Sequence, residues 1–232
     1  MTATKSTYVP PEAREHEARF VHVVCAGKHT PKNDKFNKGS TPRLYITYEL
    51  VDEQKEDGMN KWLQGFNYQQ PMNNYGGERG GRFDLLNKMG FSSNEDEDLK
   101  SLPNMQCWVG VTHSEWQGKT YANMGTLNRC SPRDGEFAPL HNPAVFFDAY
   151  NPVVEDWNNL PKWIKDYCLE ADDADETGIK EFADEARKSY KPTDDTGSMQ
   201  SVQGAASGAV SGSGKAAPAA VAGDDDDEDV PF

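Results

Sequence analysis

From Pro192 to Gly223 the chain carries no aromatic side chain, and Gly, Ala, Ser and Gln make up most of the segment. A stretch of that composition cannot bury enough apolar surface to offset the entropy lost on ordering it, so it reads as a flexible tether. It leads into six consecutive acids, Asp224, Asp225, Asp226, Asp227, Glu228 and Asp229, and ends on Val230, Pro231 and Phe232. Whatever folds must therefore be built from the residues before Pro192. A purely solubilising tail has no use for an apolar end. A recognition peptide does, with Phe232 filling a pocket and the acids steering it to a basic rim.

Charge follows the same division. The whole chain holds 24 Lys/Arg and 38 Asp/Glu, a formal net charge of −14, which by itself argues against a simple basic nucleic-acid binder. Yet residues 1–140 carry 17 Lys/Arg against 18 Asp/Glu, and residues 141–232 carry 7 against 20. The stretch Arg19–Tyr45 has six cations (Arg19, Lys28, Lys32, Lys35, Lys38 and Arg43) and one acid, Asp34.

Several classes fall away. No apolar run approaches the roughly 20 residues of a membrane span, and the polar start, Met1 to Pro11, lacks a signal-peptide core. Cys25, Cys107, Cys130 and Cys168 form no CxxC pair, so neither a zinc ribbon nor a disulfide framework is expected, and a reducing cytoplasm is. His22, Cys25 and His29 lie around one strand but make an incomplete ligand set; no metal or cofactor is expected. There is no HExxH, no GxSxG and no P-loop. Gly76–Arg82 precedes a helix but lacks the Gly-Lys-Ser/Thr ending of a nucleotide loop, and reads as a connector. Asp52, Glu53, Glu56 and Asp57 read as a solvated turn. No enzyme is expected.

Between Glu17 and Pro132 short strands alternate with turn residues. Arg19–Ala26 is β-branched and aromatic. Leu44–Val51 sets Leu44, Ile46, Tyr48 and Leu50 on one face as core, with Tyr45, Thr47 and Glu49 on the other, facing out. Lys61–Gln70 alternates Trp62, Phe66 and Tyr68 with polar neighbours. Gln106–Trp116 and Tyr121–Asn128 flank a glycine-containing turn at Gln117–Thr120. Arg82–Met89 has helical spacing, with Gly90 placed to stop it. Five strands with a helix between the third and fourth is the order of an OB-fold, a five-stranded Greek-key barrel, although periodicity alone also fits other small barrels. The chain thus reads as mainly β: a flexible N-terminus (1–16), an OB-fold domain (17–135), an extension with helices packing on the barrel (136–191), the tether (192–223) and the acidic tip (224–232). Within the extension Ala144–Phe147 suggests a strand. Pro161–Leu169 predicts a helix with Leu160, Ile164 and Cys168 on one stripe, and Thr177–Tyr190 another with Ile179, Phe182, Ala186 and Tyr190.

The ending DDDDEDVPF closely resembles the acidic tip of bacterial single-stranded DNA-binding proteins, and the Gly/Ala/Ser tether before it resembles their layout. The globular part is more similar to small phage-encoded OB-fold proteins. The 26 residues Cys107–Pro132 carry that likeness, as do Val145–Asp148 and Leu160–Ile164. Together these imply a phage-type single-stranded DNA-binding protein. It would protect single strands in DNA replication, recombination and repair, and recruit replication or recombination proteins through Asp224–Phe232. A homo-oligomer is compatible with the resemblance.

Sequence-independent single-strand binding needs cations along the phosphates and flat rings for the bases. Lys28, Lys32, Lys35, Lys38 and Arg43, with Phe36 among them, fall in and around the loop joining strands one and two. In an OB-fold that loop borders the groove. Stacking candidates are Tyr45, which points away from the core face, Trp62, Phe66, Tyr68 and Trp108, together with Trp116 and Tyr121 beside the hairpin turn with Lys119 nearby. The alternative reading is an interaction protein or decoy that engages host partners through the tip and binds no DNA.

Overall fold

A computed structural model describes residues 9–30, 39–65, 81–92 and 96–189. Lys32, Lys35, Phe36, Lys38, Phe66, Tyr68, most of the Gly76–Arg82 connector, Tyr190, and the whole tether and tip lie outside them.

The centre is a six-stranded, mainly antiparallel sheet. β1 (Glu15–His29), β2 (Thr41–Gln54), β3 (Asn60–Gln64), β4 (Gln106–Trp116) and β5 (Lys119–Arg129) pair in the order β3-β2-β1-β4-β5. β6 (Val145–Asp148) joins β1 in parallel. One edge of β1 serves two partners, Glu15–Arg19 pairing with β4 and His22–Cys25 with β6. The end strands β3 and β5 approach to within 8 Å, Cα to Cα. Gln117 and Gly118 turn the β4–β5 hairpin with φ of 51° and 71°, the left-handed pair that suits the twist of a two-residue loop.

The curled sheet encloses the expected core face. Leu44, Ile46, Tyr48 and Leu50 are at most 1% exposed and pack with Phe20, Val23 and Leu63. Two short helices between β3 and β4 cap this core, α1 (Gly81–Lys88) with Leu85 and Leu86, and α2 (Asp96–Lys100) with Leu99. Gly90, at φ 89°, follows α1 where the sequence places its stop.

The outer face departs from expectation. Tyr45, Thr47 and Glu49 point away from the first core as read, yet they are 5%, 1% and 0% exposed. A second layer, drawn from residues 131–189, covers them. Its helices are α3 (Val154–Asn159), α4 (Lys162–Leu169) and α5 (Ile179–Ser189), and β6, within the sheet, leads into them. Leu160, Ile164 and Cys168 are buried, as the stripe requires, beside Val24, Phe147 and Trp157. Polar–apolar alternation predicts one wet face; β1 and β2 are instead covered on both. Gly27 marks how closely the layer docks. Its φ is 84°, and a Cβ there would stand 2.8 Å from the Ala171 Cβ and 2.9 Å from Asp173 Oδ1. The Lys28 N–H donates to Asp173 Oδ1 at 2.7 Å, and the Asp172 N–H to the Lys28 carbonyl at 2.7 Å. Among the described residues no helix is long and apolar enough to cross a membrane.

At the start of β1, His16 is buried with both ring nitrogens facing acceptors: Nδ1 is 3.0 Å from Asp52 Oδ1 and Nε2 is 2.9 Å from the Glu12 carbonyl. Two acceptors call for two N–H groups, which is the imidazolium. Burial disfavours that charge, but Asp52 and the Glu12 carbonyl outweigh it, so the pKa of His16 is raised. Asp52 moves the other way: burial opposes its charge, but His16 and Arg14 outweigh it and lower its pKa. The His16 contribution to stability is full below the unfolded value of about 6.5 and is lost as pH rises through the higher folded value. The Asp52 contribution is present above its unfolded value and lost as pH falls through the lower folded one. Urea unfolding from pH 5.5 to 9 should show wild-type stability declining across neutrality, with the decline flattened in His16→Gln. An equally steep decline in the variant would remove His16 as its source.

Candidate functional site

Antiparallel register arranges the outer-face side chains in rows across the strands. Arg19, Glu49 and Trp62 form one row, His22, Thr47 and Gln64 the next, and Val24 with Tyr45 a third.

The first row is held under a strap, residues 131–142. Arg19 donates to the Phe137, Ala138 and Asn104 carbonyls at 2.8–2.9 Å. Glu49 Oε1 accepts from the His141 N–H at 2.6 Å and Asn60 Nδ2 at 2.8 Å. Its Oε2 accepts from Asn142 Nδ2 at 2.7 Å and Trp62 Nε1 at 3.2 Å. A fully buried carboxylate is thus met by four N–H donors, and one of them orients the Trp62 indole. Trp108, a stacking candidate in the sequence, is half-buried under the same strap, with Nε1 donating to Asp134 and its ring edge-on to Phe137 at 5.0 Å.

Beyond the strap a ladder of rings follows the outer face. Trp62 and Trp163 have centroids 6.4 Å apart, Trp163 and Tyr45 5.4 Å, Tyr45 and Tyr167 5.0 Å. Tyr167 and His29 stack at 4.0 Å with planes 6° apart. The Lys55 ammonium lies 5.9 Å from the Trp62 ring. Trp62, Trp163, Tyr167 and His29 are half-buried and so keep part of their surface open. The ladder ends at His29, the last residue of β1, and Lys32, Lys35 and Lys38 follow it in the sequence, outside the described residues.

The second row lies beneath this ladder. His22 is 2% exposed and Thr47 1%. The His22 ring is edge-on to Trp62 at 5.1 Å and to Trp163 at 6.5 Å. Burial pushes its pKa down to about 3, so it is neutral. His22 Nδ1 and Thr47 Oγ1 are buried with no hydrogen-bond partner among the described residues. Gln64, at the end of the row, is exposed.

The residues singled out from sequence fall into two groups that the structure does not bring together. Lys28, Arg43, Tyr45 and Trp62 lie on the outer face. Tyr45 is a correction, since α4 covers it and it is a rung of the ladder with almost no free surface. Arg43 is another, at 8% exposed. Lys28 is half-exposed, its Nζ 4.0 Å from Asp173. The other group is Trp116, Lys119 and Tyr121. Past the pairing of Glu15 with Gly110, the β4–β5 ribbon runs on from the β1 start, away from the His29 end. Trp116 faces Lys119 and Tyr121 faces Ser114 across it, and the two rings are 37% and 39% exposed.

His22, Cys25 and His29 do not converge: Cys25 belongs to the inner core while His22 faces outward. No group of His, Cys, Asp or Glu among the described residues is placed to hold a metal ion. Trp163, Tyr167, Thr47 and Gln64 escaped the sequence reading. Trp163 and Tyr167 had a signal: they stand four apart on a short helix whose Ile164–Cys168 stripe already supplies its buried face.

No protein-family model matches the chain, and no curated protein matches it.

Proposed function

We propose that the chain binds single-stranded DNA along the outer face of β1–β3, and that the acidic tip recruits replication or recombination proteins. The observation that carries the reading is the ladder from Trp62 to His29, with four rings keeping open surface and a last rung that immediately precedes the lysine-rich stretch of the sequence. Rings offer stacking to any base, and lysines track phosphates without reading sequence. The strand order supports it. β3-β2-β1-β4-β5 with β3 and β5 near each other, and a helix between β3 and β4, is the order of an OB barrel left open between β3 and β5. Barrels of that kind take oligonucleotides on the face of strands two and three and at the loops after strands one and four. Here those positions correspond to the lysine-rich connection between β1 and β2, most of which lies outside the described residues, and to the hairpin turn beside Trp116 and Tyr121.

The test is tryptophan fluorescence during titration with a single-stranded oligonucleotide at several salt concentrations, on the full chain and on one ending at Gly223. Quenching that weakens with salt, and tighter binding without the polyanionic tip, is the expected result. Absence of binding by both forms at low salt would overturn the reading and leave the partner-only decoy.

A further inference from the structure

Away from the ladder, a cavity of about 530 Å³ lies beside β6. Phe146, Asp148, Tyr150, Val153 and Asp156 line it, with Lys100 of α2 alongside. Cys25, which also lines it, and Phe146 pack with the first core, whereas Tyr45, Trp163 and Tyr167 pack with the second. The cavity is thus across the sheet from the ladder, and an occupant leaves the rings untouched. Its rim is apolar where a surface in water is normally polar. Among the described residues seven large apolar side chains are exposed, and three of them, Tyr150, Val153 and Val154, stand here at 44%, 50% and 40%. Clustered exposure of that kind marks an interaction surface. The charge beside it is negative. Asp148 and Asp156 line the cavity, Glu155 adjoins them, and Lys100, the one lining cation among the described residues, is taken by Glu97 at 2.7 Å. Asp156 is half-buried with no hydrogen-bond or ion-pair partner among the described residues. Burial, and then the Glu155 charge, raise its pKa, as expected of a carboxylate that no cation offsets.

We propose that this cavity docks a basic segment of a partner protein, with an apolar side chain entering beside Phe146, Tyr150 and Val153 and a neighbouring lysine or arginine meeting Asp156. The size is that of a pocket for a small organic group, so it takes a side chain or two of a peptide rather than a folded surface. Charge selects this occupant over the others at hand. The chain's own tip, Asp224–Phe232, carries six acids, and Asp148, Glu155 and Asp156 repel it, as they repel a nucleic acid. A second copy would bring a net charge of −14 against another of −14, which disfavours self-association. A basic segment alone answers both the apolar rim and the uncompensated carboxylate. Docking here is independent of the acidic tip and of whatever binds the ladder, since the site belongs to neither.

The experiment selects from a displayed library of random short peptides against the full chain, then measures the affinity of the most enriched peptide by anisotropy. Enriched peptides should carry Lys or Arg beside an apolar residue. Asp156→Lys should weaken the chosen peptide by about tenfold or more and Val153→Ser by about threefold, with the melting temperature unchanged. Val153 is half-exposed at the N-cap of α3 and makes no side-chain cap bond. Serine suits that position, so Val153→Ser carries the comparison alone if Asp156→Lys fails to fold. No enrichment of such peptides, or a peptide whose affinity neither variant changes, overturns the proposal. Affinity that is lost only when the chain ends at Gly223 assigns the peptide to the acidic tip and overturns it as well. So does sedimentation showing a self-association that Val153→Ser abolishes, since a second copy would then fill the cavity.

Discussion

Replacing Glu49 with alanine should cost the fold about 3–5 kcal/mol, measured by urea unfolding, and lower the melting temperature by about 10 °C or more. The reason is the asymmetry of buried hydrogen bonding. Glu49 itself is fully buried, and its two oxygens satisfy the His141 N–H, the amides of Asn60 and Asn142, and the Trp62 indole N–H. Alanine removes one residue but strands four donors, two of them from the strap. Glu49→Gln keeps the shape and one acceptor oxygen, yet turns an NH2 toward donors, so about 1–3 kcal/mol is expected for it. Arg19 holds the same strap through the Phe137 and Ala138 carbonyls, so the second layer should loosen locally before the whole chain unfolds. Limited proteolysis should then show earlier cleavage between residues 131 and 143 in Glu49→Ala. A loss within about 1 kcal/mol, with unchanged proteolysis, would mean that the strap is secured elsewhere.

Glu49 also shows where sequence reading stops. Alternation in Leu44–Val51 correctly assigned Leu44, Ile46, Tyr48 and Leu50 to one core, because period-2 patterning reports which residues share a face. It then read Tyr45, Thr47 and Glu49 as wet, since a charged residue opposite a core face normally is. What makes them buried is a layer supplied about 90 to 120 residues later, and no local pattern at β2 carries that information. The hairpin was legible down to its turn, because Gln117-Gly118 needs left-handed backbone and glycine provides it cheaply. The helix stripes were legible too: Leu160, Ile164 and Cys168 pack as their spacing requires. Their second faces were not. Trp163 and Tyr167 look like ordinary helix aromatics until α4 is laid on β1 and β2, and only then do they bridge Trp62 to His29. β6 was visible as a short apolar run, but its parallel pairing with β1 was not, since a four-residue run specifies no partner. The basic loop shows the opposite limit. Its composition is plain in the sequence, while its lysines fall outside the described residues.

The rungs of the ladder should each matter to DNA affinity, and unequally. Trp62→Ala and Trp163→Ala are expected to weaken binding to a single-stranded oligonucleotide by roughly 5- to 150-fold each, the equivalent of about 1–3 kcal/mol per stacked base. Tyr167→Ala should fall at the low end, because one face of its ring is already taken by His29 at 4.0 Å. Anisotropy of a labelled oligonucleotide is the proper readout, since removing a tryptophan alters intrinsic fluorescence whether or not it touches DNA. Salt separates stacking from charge: the ladder variants should lose affinity by a similar factor at every ionic strength, whereas neutralising a phosphate contact changes the salt slope. Trp116→Ala and Tyr121→Ala on the projecting ribbon serve as the internal comparison. They stand away from the His29 end of β1, so a strand long enough to span both regions should feel them and a short one should not. Suppose instead that the ladder variants keep full affinity while the ribbon variants lose it at every oligonucleotide length. The rings from Trp62 to His29 would then be packing between α4 and the sheet, and the DNA-binding surface would belong to the hairpin.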